Sequence, residues 1–142
     1  MYDRKRYRLI WLGMTVGTWL LFLPWQLRAH SLSALLARCT ADRGRTPATL
    51  EPRQVVRVVS RLCRLRLFRL PVFPRHCLLQ SLALYRTCRR FGFPAALHIG
   101  VLENEGELHA HSWITLAGRA VAETCDPGAF RTIYTHGPGS SG

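Results

Sequence analysis

The stretch that decides the fold is residues 75–123, RHCLLQSLALYRTCRRFGFPAALHIGVLENEGELHAHSWITLAGRAVAE. The pattern predicts a helix from His76 or Cys77 to Arg90. Gly92 stops it as a left-handed cap, and Pro94 confirms the stop. The residues that follow read as strands: 97–102 first, a turn at Gly106 within 103–107, then 108–115 and 119–123. Helices followed by a run of short strands make an α+β layout, N-terminal helices packed on a small antiparallel sheet.

A cysteine opens that helix, a histidine sits on a strand 34 residues later, and a carboxylate follows 12 residues after that. Cys77, His111 and Glu123 therefore stand in the order of a Cys-His-acid nucleophilic site. The thiolate, not the thiol, is the nucleophile. Free amides and the helix dipole at a helix N-terminus favour negative charge. The same amides suit the oxyanion of a tetrahedral intermediate. Cys88 lies in the interior of the same helix and lacks that setting.

On a strand, His109, His111 and Trp113 share one face. His111 is the candidate base. His109, roughly 7 Å along the same face, stays open as a rival. His109, Trp113 and Gln80 are also candidate substrate contacts, although Gln80 and Ser81 read first as helix packing or solvent-facing. A three-residue hairpin loop at 116–118, with Gly118 left-handed, pairs Thr115 with Arg119, Trp113 with Val121 and His111 with Glu123. A two-residue loop shifts this register by one and sets Glu123 against Ser112 instead. Asp126 is the alternative acid, though Asp126-Pro127-Gly128 reads as a turn. His76 reads as surface, and nothing assigns His98 a role. No metal site and no cofactor are expected.

The chain has 142 residues, is 48% hydrophobic and carries a net charge of +12. That apolar share supports one real core and argues against global disorder. Lys5 is the sole lysine, so arginine carries nearly all the positive charge. Such a field favours anionic partners, whether nucleic acid, acidic lipid or an acidic protein or peptide, and does not choose among them; the partners expected for this chain do not include nucleic acid. The five cysteines are odd in number and form no CxxC pair. This argues against a disulfide framework or a structural zinc site and for a reducing, cytoplasmic setting. Four of the five read as small apolar fillers.

Arg4, Lys5, Arg6 and Arg8 precede an apolar run over 9–24. A buried helix, a membrane-contacting segment and a signal peptide without a clear cleavage site all fit that pattern. Residues 9–38 read as one or two helices broken near Pro24. Residues 40–50 form a polar linker in which Thr49 caps the next helix. That helix runs over 52–67, with Val55, Val56, Val59, Leu62 and Cys63 on an apolar stripe and Arg53, Arg57, Arg61 and Arg64 opposite. Residues 70–74, LPVFP, read as extended. The expected organisation is one domain: an apolar helical segment (1–39), a linker (40–50), the core (51–135) and a flexible tail (136–142).

CLLQSLALYRTCRRFGFPAALHIGV followed by HAHSWITLAGRAV resembles the lasso peptide biosynthesis B2 proteins. These are leader peptidases with a transglutaminase-like, papain-related fold. The matching motifs are the helix at 77–84, the Gly-Phe-Pro-Ala turn at 92–95, the Ile-Gly-Val strand at 99–101 and His111-Ser112-Trp113. The likeness covers roughly residues 70–125. Ser112 replaces the usual alanine, and Glu123 stands where the family carries aspartate. The resemblance implies a cysteine protease that cuts the leader from a ribosomally made precursor peptide. It also implies a separate leader-binding B1 protein that delivers the precursor and a macrolactam-forming cyclase that acts next. A transglutaminase-like amidase or acyltransferase on another substrate, and a non-catalytic basic adaptor, remain the alternative readings.

Overall fold

The computed structural model describes residues 2–41, 50–122 and 126–137. Among them are four helices: α1 (Tyr2–Ala29), α2 (Leu32–Ala41), α3 (Pro52–Cys63) and α4 (His76–Arg90). Four strands follow: β1 (Ala95–Asn104), β2 (Glu107–Leu116), β3 (Arg119–Val121) and β4 (Arg131–His136). They form one antiparallel sheet in the order β3-β2-β1-β4. The α+β architecture expected from the sequence is the one observed.

α4 is the central element and touches α1, α2, α3, β1 and β2. Leu79, Leu82, Ala83, Tyr85 and Cys88 along it are completely buried. Its end follows the sequence closely. Gly92 takes φ +80°. Its amide donates to Arg89 O at 3.0 Å and that of Phe93 donates to Cys88 O at 2.9 Å. This paired 5→2 and 6→1 arrangement is the Schellman motif, which a left-handed glycine permits. The chain then enters β1 directly.

The core extends into all the helices. Leu12, Val16, Leu20 and Leu23 of α1 pack with Val55, Val59 and Cys63 of α3 and with α4. Arg53, Arg57, Arg61 and Arg64 are exposed, as the stripe on α3 requires. Thr40 of α2 ties three elements together, through Tyr85 Oη at 2.7 Å and His136 Nε2 at 3.2 Å. His136 therefore belongs to β4, although the sequence places it in the tail; the rest of that tail beyond Gly137 lies outside the described residues, as does the linker from 42 to 49.

Several expectations are corrected. α1 runs straight through Pro24 to Ala29, and no break occurs there. A mid-helix proline costs about 3 kcal/mol. Leu20 and Leu23 beside it are fully buried, and each such side chain contributes about 1.5–3 kcal/mol, so tertiary packing wins. α3 starts at Pro52 with Glu51 as its cap, where Gln54 Oε1 accepts from the Glu51 amide at 3.1 Å. Thr49, the expected cap, lies outside the described residues. α3 ends at Cys63 rather than near 67, and a short 3-10 turn follows at Arg66–Arg69. Residues 70–73 form a turn, not an extended stretch, closed by Phe73 N donating to Leu70 O at 3.0 Å. Pro71 suits the second position of such a turn.

The β2–β3 hairpin uses a two-residue loop, Ala117-Gly118. Both residues have positive φ, +51° and +82°, as a type I′ turn requires. The register is Leu116↔Arg119, Thr115↔Ala120 and Ile114↔Val121, one residue away from the expected Thr115–Arg119 pairing. The turn between β1 and β2 is of the same kind, with Glu105 at φ +52° and Gly106 at +79°. β4, unforeseen in the sequence, pairs with the far edge of β1 and contains a register shift opposite Ile99 and Gly100.

Candidate active site

The second residue of α4 is Cys77. The cap position belongs to Arg75, whose side chain makes no capping hydrogen bond. The first intrahelical bond runs from Leu79 N to Arg75 O at 2.9 Å. The amides of His76, Cys77 and Leu78 therefore precede the ladder, as the geometry of a helix start dictates. A Ser, Thr or Asp at the cap would have claimed one of them. With arginine there, the helix start keeps its donors for something else.

Burial separates Cys77 from the other described cysteines. Cys39, Cys63 and Cys88 are buried and Cys77 is half-buried. Burial pushes the Cys63 and Cys88 thiols up to about 12. These behave as apolar filler, as the sequence suggests. Cys125 lies outside the described residues.

Two small cavities adjoin Cys77. One, of about 190 Å³, is lined by Cys77, Gln80, His111, Ser112 and Val121, with Arg64 and His76 on its wall. The other, of about 160 Å³, is lined by Cys77, Arg75, Ile99, His111 and Ser112. Cys77 and His111, 34 residues apart in the chain, are thus brought to the same two cavities. The walls carry arginines and no carboxylate among the described residues. That suits an anionic group or developing negative charge.

Alternation along β2 sets the surroundings of His111. Ser112 and Ile114 pair with Ile99 and Leu97 on the face that carries the core. His111 and Trp113 fall on the other parity. The His111 ring lies 6.1 Å from the Trp113 ring and 5.2 Å from Phe130. Its partner across the ladder is Gly100. Trp113 is itself stacked on His98 at 5.5 Å. His98 is bonded at both ring nitrogens, to Thr135 Oγ1 at 3.1 Å and Thr115 Oγ1 at 3.0 Å. Burial lowers its pKa below the usual imidazole range. His98, without a role in the sequence, thus fixes one side of the aromatic stack that His111 joins.

The remaining predicted residues fall as follows. His109 is exposed and faces Glu107, with Nε2 3.7 Å from its carboxylate. Asp126 caps a 3-10 turn at Pro127–Ala129, where its Oδ1 accepts from Gly128 N at 3.0 Å. This is the turn expected there. Glu123 lies outside the described residues. The observed hairpin register removes the argument that set Glu123 directly across from His111. Gln80 Nε2 donates to Ala122 O at 3.1 Å. Ala122 holds φ +54°, so Gln80 pins a left-handed backbone position one residue before Glu123. His76 is exposed, as expected, yet it also lines the larger cavity.

Sequence reasoning missed Arg64, Phe130 and the part played by Ser112. Arg64 closes the basic row on α3, which reads as a solvated face. Phe130 lies 19 residues beyond His111 with no local signal. Ser112 is 5% exposed, lines both cavities, and its Oγ has no hydrogen-bond partner among the described residues.

A family model described as the transglutaminase-like superfamily matches residues 18–135. No curated protein and no solved structure matches the chain. The matched span takes in the C-terminal part of α1 from residue 18, the whole of α4 with Cys77, and all four strands except His136. With a half-exposed cysteine at the start of the central helix and a histidine on the sheet it packs against, the chain belongs to the transglutaminase-like superfamily, whose members are commonly cysteine-dependent enzymes.

Proposed function

We propose that this protein is a cysteine peptidase that removes the leader from a ribosomally made lasso peptide precursor. One observation carries the chemistry: Cys77 opens α4 half-exposed, and His111 lines the same two cavities. The choice of substrate rests on the sequence motifs at 77–84, 92–95, 99–101 and 111–113, which resemble the leader peptidases of that pathway.

In this reading, Cys77 Sγ attacks the scissile carbonyl and His111 takes the thiol proton. The oxyanion lies against the amides that precede the helical ladder. Collapse of the tetrahedral intermediate breaks the C–N bond, and His111 returns the proton to the leaving amine. Water then hydrolyses the acyl-enzyme and frees the carboxylate of the leader. The resemblance assigns the third role, orienting the imidazole and stabilising its charged form, to Glu123 at the family's acid position, with Asp126 as the alternative. A separate leader-binding B1 protein presents the precursor. The freed amine of the core is the group a macrolactam-forming cyclase consumes.

The test is cleavage of precursor peptide in the presence of the leader-binding protein, followed by mass spectrometry. Wild type releases leader and core as two fragments. Cys77→Ala is expected to lower the rate by at least about 10³-fold. Cleavage by that variant at the wild-type rate refutes the assignment of the nucleophile. Intact precursor alongside rapid hydrolysis of small amides by wild type moves the substrate elsewhere and keeps the nucleophile.

A further inference from the structure

α1 is apolar on two opposite faces. One face is core: Leu12, Val16, Leu20 and Leu23 are no more than 2% exposed. The other faces outward. Tyr7, Trp11, Met14, Leu21, Phe22 and Trp25 are 50–71% exposed. Scattered exposed hydrophobics need no explanation, but a contiguous row of this size on a soluble domain marks an interaction surface. The row is about 27 Å long at the rise of an α-helix. Beside it, a shallow trough of about 580 Å³ runs between α1 and α4, walled by Trp19, Arg86 and Arg90.

Charge says what covers this face. Arg4, Lys5, Arg6 and Arg8 are all exposed at one end of α1, and Arg28 is exposed at the other. Asp3 is the one acidic residue in the sequence of α1, and none follows from Arg4 to Ala29. The Arg86 guanidinium lies 5.0 Å over the Trp19 ring in the trough. Three of the chain's four tryptophans, Trp11, Trp19 and Trp25, border this face or trough. An aromatic apolar face with flanking cations and no acids within it is complementary to an anionic lipid surface: rings at the headgroup boundary, cations among the phosphates.

We propose that α1 docks this protein on an anionic bilayer, lying in the plane of the membrane. α1 is long and apolar enough to cross a bilayer, but crossing would strip Leu12, Val16, Leu20 and Leu23 from the core. Lying flat satisfies both faces at once. The trough borders Arg86 and Arg90, nine and thirteen residues along α4 from Cys77. At 1.5 Å per residue this is about 14–20 Å, so the helix start bearing Cys77 stays clear of the lipid.

The test is flotation of the full chain with vesicles of phosphatidylcholine alone or with about one-third phosphatidylglycerol, read with tryptophan emission. The chain is expected to float with the anionic vesicles, with a blue shift, and to float less in high salt. Trp11→Ser/Phe22→Ser/Trp25→Ser changes only exposed positions and should keep the wild-type circular dichroism. It is expected to lower partitioning at least about tenfold. Arg4→Gln/Lys5→Gln/Arg6→Gln/Arg8→Gln should erase the preference for the anionic vesicles. A folded wild-type chain that stays in solution with both vesicles overturns the proposal. So does equal flotation of the serine variant, or loss by that variant of binding to a protein partner while the wild type ignores lipid. None of these outcomes depends on Cys77, so they leave the peptidase reading to its own test.

Discussion

Gly100 stands directly across the β1–β2 ladder from His111. A Cβ at that position would fall 2.8 Å from Phe130 Cβ and 2.9 Å from Trp113 Cη2. The two aromatic neighbours of His111 thus occupy the space that a side chain on Gly100 would need. Overpacking of this kind costs about 1–3 kcal/mol. Gly100→Ala is expected to lower the melting temperature and, at temperatures where it stays folded, to slow turnover by displacing the aromatic stack around His111. Unchanged melting and unchanged turnover would show that the sheet yields freely at this point.

Thiol accessibility should divide the described cysteines sharply. At pH 8, iodoacetamide is expected to modify Cys77 and to leave Cys39, Cys63 and Cys88 untouched until the chain unfolds, as peptide mapping would read. Because burial raises Cys63 and Cys88 from 9.0 to about 12, the stability linked to their protonated forms is fully present below pH 9. It is lost as pH rises towards 12. Native-state labelling of Cys63 at the rate of Cys77 contradicts this burial.

His98 makes the opposite prediction at acid pH. Desolvation holds its folded pKa below the ordinary 6.5, so the unfolded chain binds the proton first. Stability is complete above pH 6.5 and falls as pH drops towards the folded value, by at most about 1.4 kcal/mol per pH unit. His136 adds to the same trend, through burial and then the nearby Arg89 charge. Melting temperatures between pH 7.5 and 5 should fall more steeply for wild type than for His98→Gln. Parallel slopes rule out His98 as a source of the trend.

Ser112→Ala tests a buried hydroxyl. Ser112 Oγ has no partner among the described residues, and an unpaired buried hydroxyl costs about 1–3 kcal/mol. The alanine variant should therefore melt at the same temperature or a few degrees higher, roughly 3 °C per kcal/mol for a chain of this size. A fall of several degrees would reveal a hydrogen bond to that hydroxyl.

Some of this architecture is legible in the sequence because it is local. Gly92 followed by Pro94 marks the end of α4, Gly106 marks the first hairpin, and the valine stripe of α3 marks its buried face. The features that escape depend on distant contacts or on residues working against their preferences. Ala117 takes a left-handed φ of +51°, a conformation that costs a residue with a Cβ about 1–2 kcal/mol. A sequence offers no sign of that, so the hairpin register reads one residue out. β4 hides between Asp126-Pro127-Gly128 and Gly137, although Thr132, Ile133, Tyr134 and Thr135 are good strand formers. α1 continues through Pro24 only because Leu20 and Leu23 are anchored in a core the local sequence does not reveal. In the site, the position of Cys77 follows from the helix start, whereas Phe130 and Ser112 enter through tertiary packing.

Both hairpins that bound β2 are closed by two residues, the minimum for adjacent antiparallel strands. β2 therefore has no slack at either end. One residue inserted at 105–106 or 117–118 must open a wider loop or slide the strand, and a slide by one exchanges the faces of His111 and Ser112. The span from Ala95 to Val121 therefore behaves as a fixed-length cassette.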